Sequence, residues 1–175
     1  FDPHVWLDPE NAKIEMEAIR DALCAADPEN STVFQSNYEK YAAELDALDA
    51  EFREKLAPLP NRTIVVAHEA FGYLCDAYGL TQVGIEGLSP DSEPDPGRMA
   101  EFKGRNLYKH NPTVTLMRTT VDENRQVAEA IASETGAQAK MLSPLEGLSD
   151  EQAAAGADYF SVMHDNLAAL MEALN

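Results

Sequence analysis

Apolar residues in the first third of the chain recur at helical spacing. Asp8-Pro9 has the features of a helix start, an N-cap followed by proline, and predicts a helix that runs to about Ala25. A second, longer helix is predicted over 28–57, with one apolar face formed by Tyr41, Leu45, Leu48, Phe52 and Leu56. At about 30 residues it would span ~45 Å. This length is too great for the interior of a compact lobe and suits a stiff strut along or between lobes.

The pattern changes after residue 60, where short apolar runs begin to alternate with helical segments. Strands are predicted at 63–67, 81–85, 113–117 and 139–142, and helices at 70–78, 96–109 and 122–134. This order predicts an α/β fold with a four-stranded parallel sheet, right-handed crossovers and helices on both faces. From about Asp150 a further helical stripe is predicted, formed by Phe160, Met163, Leu167, Leu170, Met171 and Leu174.

The charge balance narrows the classes of partner. The 175 residues include 13 basic and 31 acidic side chains, which give a formal net charge of −18. Nucleic acids and anionic membranes are recognised by basic patches, so both are excluded as expected partners. A positively charged ligand suits this field, although acidic surplus also serves simply to solvate a surface. No run reaches the roughly 20 apolar residues that a membrane-spanning helix needs.

The two cysteines, Cys24 and Cys75, both fall in helix-like patterns. Neither belongs to a CxxC pair, so a structural zinc knuckle is excluded. One disulfide and two buried free thiols are both consistent with the sequence.

Three candidate metal ligands stand beside predicted strands or in loops. His68 follows the strand at 63–67, at the carboxyl end of a parallel strand, where open α/β sheets bind their ligands. His4 lies in the opening loop and Glu146 in the loop after the last strand. Each residue alone is as consistent with a capping or loop role, but two histidines and a carboxylate together are a suitable ligand set for a divalent metal ion.

Other chemistries find little support. The zinc-peptidase pattern HExxH fails because Gly72 stands where the second histidine would be. The glycine-flanked serine of a nucleophile elbow and the GxxxxGK[ST] and GxGxxG patterns of nucleotide binding are both missing from the sequence. His110, at a predicted helix end, and His164, on the outer side of the last helix, are interpreted as structural.

Several motifs, in order along nearly the whole chain, resemble the metal-specific substrate-binding proteins of bacterial ABC transporters, the zinc and manganese uptake family. These motifs are DPHVWLDPENAK, AHEAFGYL, GLSPDSEPDP, AEAIASETGA, SPLEGL and DYFSVMHDNL. The resemblance implies a two-lobed extracytoplasmic receptor, periplasmic or membrane-anchored, whose lobes are joined by one long helix. Residues 1–57 would then hold the end of the amino-terminal lobe and the linking helix, and residues 58–175 the carboxyl-terminal lobe.

The resemblance also implies a ligand set, with the metal held between the lobes. His4 matches the amino-lobe histidine, His68 the carboxyl-lobe histidine, and Glu146 an acidic position that serves as the fourth ligand in some members. Nitrogen donors favour zinc, with manganese as the second candidate. A further amino-lobe histidine has no counterpart in this chain. Arg118 also departs from the pattern, since an acidic residue is common there in relatives.

Three functions follow as hypotheses. The first is a zinc receptor that delivers its ion to an ABC permease, and the second is a metal-dependent hydrolase in which Glu69 would be the general base. The third is an adhesin that keeps the fold without the metal. Because the chain starts at Phe1 beside a dense motif, we expect a fragment that lacks most of the amino-terminal lobe, binds zinc weakly and self-associates.

Overall fold

A computed structural model describes residues 1–66, 69–84 and 139–175, together with the backbone of residues 116–118. The first two helices, α1 (Pro9–Ala26) and α2 (Ser31–Leu56), pack against each other, and each follows a short 3₁₀ turn. The carboxylate of Asp8 caps α1 by accepting a hydrogen bond from the backbone N–H of Glu10 at 3.0 Å. Both predicted helices are confirmed, with boundaries that move by one to three residues.

Only the second half of α2 is embedded in the protein. Its buried positions are Ala42, Leu45, Leu48, Phe52 and Leu56, whereas most residues before position 42 are exposed. The stripe predicted from spacing is therefore buried from Leu45 onward. Tyr41 at its start is 40% exposed, and its ring stacks on Phe160 with centroids 6.2 Å apart.

All strand pairing in the described residues is parallel. The strands are β1 (Thr63–Val66), β2 (Thr81–Gly84), β3 (Leu116–Arg118) and β4 (Ala139–Met141), in the order β2-β1-β3-β4. After β1 comes the helix α3 (Gly72–Tyr78). The parallel strands and the described helices, one of which lies between β1 and β2, confirm the α/β class. Because the strands are parallel, their carboxyl ends share one edge, where the loop after β4 begins. The helices predicted at 96–109 and 122–134, His110 and the side chain of Arg118 lie outside the described residues.

The carboxyl-terminal segment differs from the sequence prediction, which placed one helical stripe from about Asp150 onward. At the carboxyl-terminal end the structure has two helices, α4 (Asp150–Ala154) and α5 (Tyr159–Leu174). Gly156 adopts a φ of 76° and ends the first of the two. Asp158 and Ser161 then form a capping box that starts α5.

The core lies where α5 packs on β1, β4 and α2. Its largest fully buried side chains are Phe52, Phe71, Leu7, Leu56, Ile64, Leu74, Leu142, Met163 and Leu170. Phe52 also stacks on Tyr78 with ring centroids 5.0 Å apart, which ties α2 to α3. Among the helices that the structure describes, none has the length and apolar character to span a membrane.

Candidate metal centre

The amino-terminal segment is fastened to the loop that follows β4. The indole Nε1–H of Trp6 donates a hydrogen bond to the carbonyl oxygen of Pro144 at 2.9 Å, and the hydroxyl of Tyr159 donates to the carbonyl oxygen of Trp6 at 2.8 Å. His4 is carried on this segment and is only 1% exposed. Its ring meets Trp6 in an edge-on contact with centroids 5.5 Å apart. The imidazole is therefore held by packing as well as by hydrogen bonds.

Glu146 lies in a loop that is anchored from α5. Buried Asn166 accepts a hydrogen bond from the backbone N–H of Ser143 and donates one to its carbonyl oxygen, both at 2.8 Å. Leu145, directly before Glu146, has a φ of 54°, the left-handed region that a leucine rarely adopts. Such strain is found where surrounding contacts fix the backbone, and it is concentrated at functional sites.

His4 lies where the amino-terminal segment meets the loop that carries Glu146. Its Nε2 lies 3.1 Å from Oε1 of Glu146, and its Nδ1 lies 2.7 Å from Oδ1 of Asp2. Donor atoms on one tetrahedral zinc ion, with bonds of about 2.0–2.2 Å, are separated by roughly 3.4 Å. The His4–Glu146 separation is within a few tenths of an ångström of that value. In this structure the two side chains form a hydrogen bond, and the pair places one nitrogen and one oxygen donor near the spacing of two ligands on one zinc ion.

His68 falls between β1 and α3 in the sequence and lies outside the described residues. Its neighbour Glu69 is described, and the side chain of Glu69 covers Gly84 at the end of β2. Within residues 1–66, 69–84 and 139–175, no three histidine, cysteine, aspartate or glutamate side chains are arranged as a group that could hold a metal ion. Of the predicted ligands, the structure brings together His4 and Glu146.

The cysteines do not add ligands to this centre. Both are free thiols, so the alternative of a disulfide between Cys24 and Cys75 is not realised. Burial raises the pKa of the Cys75 thiol to about 12, which keeps it protonated at neutral pH. His164 is exposed on α5 and lies 3.4 Å from a carboxylate oxygen of Glu51. Its position on the outside of the last helix agrees with the prediction.

The sequence-based interpretation missed Asp2 and Asn166. Asp2 is in the DPH motif, where the spacing of two residues allows an aspartate to accept hydrogen bonds from the backbone and ring of His4. That spacing was a readable signal. Asn166 gave no such signal, because a single asparagine on an apolar helical stripe carries no information about a distant loop.

Residues 1–173 match the family described as ZnuA, zinc-uptake complex component A, periplasmic. The chain belongs to this family. The zinc-binding protein AdcA of Streptococcus pyogenes is 40% identical over 172 residues, which cover 97% of this chain and 32% of that protein. The chain therefore spans about a third of the length of that ZnuA-family relative.

Solved structures of similar proteins have the same fold. The Zn(II)-bound ZnuA-like domain of Streptococcus pneumoniae AdcA is 38% identical with a TM-score of 0.83, and the match covers 99% of this chain and 64% of that one. The laminin-binding protein Lmb of Streptococcus agalactiae is 32% identical with a TM-score of 0.88, covering 100% of this chain and 65% of that one. Its description is a bifunctional protein with adhesin and metal-transporting activity.

Proposed function

We propose that this chain is part of an extracytoplasmic receptor that captures Zn²⁺ between two lobes and delivers it to an ABC permease. The single observation that carries the proposal is the approach of His4 Nε2 to Glu146 Oε1 at 3.1 Å. Membership of the ZnuA family and the zinc-binding names of its relatives support the same substrate. A cation also suits the formal net charge of −18.

In this proposal His4, His68 and Glu146 are the protein ligands that this chain contributes. Neutral imidazole nitrogens and a carboxylate oxygen are donors that suit Zn²⁺, and Mn²⁺ is the second candidate ion. A receptor needs capture and release and no bond chemistry, so its ion is cargo. The names of the relatives describe zinc binding and uptake and give no support to hydrolysis.

The proposed architecture assigns residues 1–57 to the end of an amino-terminal lobe and the linking helix, and residues 58–175 to the carboxyl-terminal lobe. The lobe would contain the complete four-stranded parallel sheet with helices on both faces. The exposed first half of α2 supports a strut that extends beyond the carboxyl-terminal core. A periplasmic or surface-anchored location is proposed from the relatives, one of which is named a zinc-binding lipoprotein.

Adhesion is the second candidate function. It is favoured by the TM-score of 0.88 to Lmb, whose description joins adhesin and metal-transporting activity. The two functions differ in what they require, because an adhesin can keep the fold without binding the ion. Laminin capture by a protein that does not bind zinc would favour adhesion alone.

Self-association of the 175-residue chain stays a prediction. It is supported by the exposed apolar side chains of α1 and α2, among them Ile14, Ile19, Leu23 and Val33. Sedimentation velocity over a hundredfold range of concentration tests it. A single monomer boundary at the highest concentration would contradict the prediction.

The experiment that tests the receptor is a Zn²⁺ and Mn²⁺ titration of the full-length natural protein and of three variants: His4→Ala, His68→Ala and Glu146→Gln. Each variant should weaken zinc binding by at least about tenfold, equivalent to about 1.4 kcal/mol. The matched controls are His164→Ala and Glu151→Gln, both on the exposed side of carboxyl-terminal helices. Affinity for zinc exceeds affinity for manganese at most sites, so the comparison is made between variants for each ion. Unchanged binding in all three variants would reject the ligand set.

A further inference from the structure

The carboxylate of Asp2 makes a two-point contact with His4. Its Oδ1 accepts hydrogen bonds from the backbone N–H of His4 at 3.0 Å and from Nδ1 of the ring at 2.7 Å. An ionised carboxylate only accepts hydrogen bonds, so a neutral His4 ring that binds an ion through Nε2 would carry its proton on Nδ1 and donate it to Asp2. The other ring nitrogen, Nε2, is the one that faces Glu146.

The opposite oxygen of Asp2 occupies space that exists because residue 72 is glycine. An added Cβ at Gly72 would lie 2.7 Å from Oδ2 of Asp2 and 3.3 Å from Nε2 of Gln82. Gly72 does not adopt a positive φ, so the backbone conformation at this first residue of α3 does not require glycine. The requirement is the close approach of the Asp2 carboxylate.

Gln82, on β2, lies on another side of the space beside Gly72, which we call the slot. Its Oε1 accepts a hydrogen bond from the backbone N–H of Phe71 at 3.0 Å. The side chain that lies beside the space at Gly72 therefore also holds the start of α3. The carboxylate of Asp2 and the side-chain amide of Gln82 thus both lie close to Gly72, although Asp2 is at the amino-terminal end of the chain.

We propose that Asp2, seated in the slot left by Gly72, is a positioning residue that fixes the His4 ring with Nδ1 protonated and Nε2 directed at the ion. This inference rests on the proposed receptor function, in which His4 is a ligand. A carboxylate behind a metal-binding histidine sets the ring orientation and raises its basicity, and loss of such a partner typically costs 10–100-fold in metal affinity. Gly72 acts one step further away, by leaving room for Asp2.

The test uses the full-length natural protein with three substitutions: Asp2→Ala, Asp2→Asn and Gly72→Ala. Zn²⁺ affinity is measured by competition with a chromogenic chelator, and thermal unfolding is measured on the same samples. We expect Asp2→Ala and Gly72→Ala to bind zinc roughly 10–100-fold more weakly. Asp2→Asn should recover part of the loss, because its amide oxygen accepts the same hydrogen bond without the charge. Asp165→Ala, on the exposed face of α5, is the matched control for Asp2→Ala. Gly147→Ala is the matched control for Gly72→Ala, because an added Cβ at Gly147 meets no atom within 4 Å.

A second readout is independent of zinc. Nitrogen-15 NMR of the metal-free protein reports which ring nitrogen of His4 carries the proton, a property that a merely structural role for Asp2 would not move. Nδ1 should carry a proton in the wild type, and Asp2→Ala should shift the population toward the tautomer protonated at Nε2 alone. If the wild type fails to bind zinc, the receptor proposal falls while this spectrum still tests the role of Asp2. If the wild type binds zinc, and Asp2→Ala and Gly72→Ala retain its affinity and its His4 spectrum, the inference about Asp2 is overturned.

Discussion

Nε2 of His4 and Oε1 of Glu146 are 3.1 Å apart, although 142 positions separate the two residues in the sequence. Neither side chain reaches this arrangement by local structure. His4 lies on a segment that is attached to the carbonyl oxygen of Pro144 by the hydrogen bond from Trp6. Glu146 lies in a loop that Asn166 on α5 anchors through a hydrogen bond from the backbone of Ser143. The pair is therefore a product of tertiary packing, and changes in its supports should alter ion binding without touching a ligand.

Asn166 is the first of these supports to test. Asn166→Ala removes two hydrogen bonds of 2.8 Å and leaves the N–H and C=O of buried Ser143 without these partners. We expect the free energy of unfolding to fall by about 2–4 kcal/mol, since each buried unsatisfied polar group costs about 1–3 kcal/mol. Urea unfolding followed by circular dichroism measures this loss. Zinc affinity should also fall, because Ser143 positions the loop that carries Glu146.

The control for that experiment is Asn37→Ala, at an exposed position on α2. It should change the free energy of unfolding by no more than about 0.5 kcal/mol. Equal stability of Asn166→Ala and Asn37→Ala would show that the hydrogen bonds to Ser143 do not anchor the loop.

Gly84 is expected to affect zinc binding through Glu69, which precedes α3 and follows the proposed ligand His68. A Cβ at Gly84 would overlap Cγ of Glu69 and lie 2.5 Å from its Oε1, so Gly84→Ala must shift the side chain of Glu69, the residue next to His68. We expect a loss of about 1–3 kcal/mol in the free energy of unfolding, typical of overpacking, together with weaker zinc binding. Gly147→Ala is the matched control, because nothing lies within 4 Å of its added Cβ. Wild-type stability and affinity in Gly84→Ala would contradict this account.

Local signals in the sequence were sufficient to predict several of the described elements. The Asp-Pro helix start at Asp8 and the apolar stripe that ends at Leu56 predicted α1 and α2 because both signals act over a few residues. The β-branched run at 63–66 predicted β1 for the same reason. The break at Gly156 was missed, since the apolar spacing gives no warning of the left-handed residue between α4 and α5.

The candidate centre was less accessible to sequence reasoning. The residue types of His4 and Glu146 suggested ligands, but their contact depends on hydrogen bonds across 138 and 153 positions, from Trp6 to Pro144 and from Tyr159 to Trp6. The left-handed conformation of Leu145 was also unpredictable, because leucine normally avoids it. Such features arise only when distant segments pack together. The supporting role of Asp2 follows from the same packing.

The two free thiols should differ sharply in reactivity. Cys75 is 2% exposed and its pKa is raised to about 12 by burial, whereas Cys24 is half-buried beside the carbonyl of Ser31. The thiolate is the reactive form, and a pKa of about 12 leaves roughly one thiol in 10⁴ ionised at pH 8. Titration of the native protein with a thiol-specific disulfide reagent should therefore modify Cys24 alone within minutes. Both cysteines should react in guanidinium chloride, and rapid modification of two thiols in the native state would contradict the buried environment of Cys75.

We expect Tyr78 to lower the free energy of unfolding at alkaline pH. Burial, and next the charge of Asp49, raise the pKa of its hydroxyl far above the ordinary value of about 10. Above pH 10 the unfolded chain loses this proton while the folded protein keeps it, so the unfolded state binds fewer protons and the free energy of unfolding decreases as pH rises. The slope from this group approaches about 1.4 kcal/mol per pH unit. Tyr78→Phe removes this pH dependence. In urea unfolding, the free energy of unfolding of the variant should therefore decrease less than that of the wild type between about pH 9 and about pH 11. Tyr41→Phe, at an exposed ring, controls for the loss of a hydroxyl, and a stability difference between Tyr78→Phe and the wild type that stays constant across this range would count against the assignment.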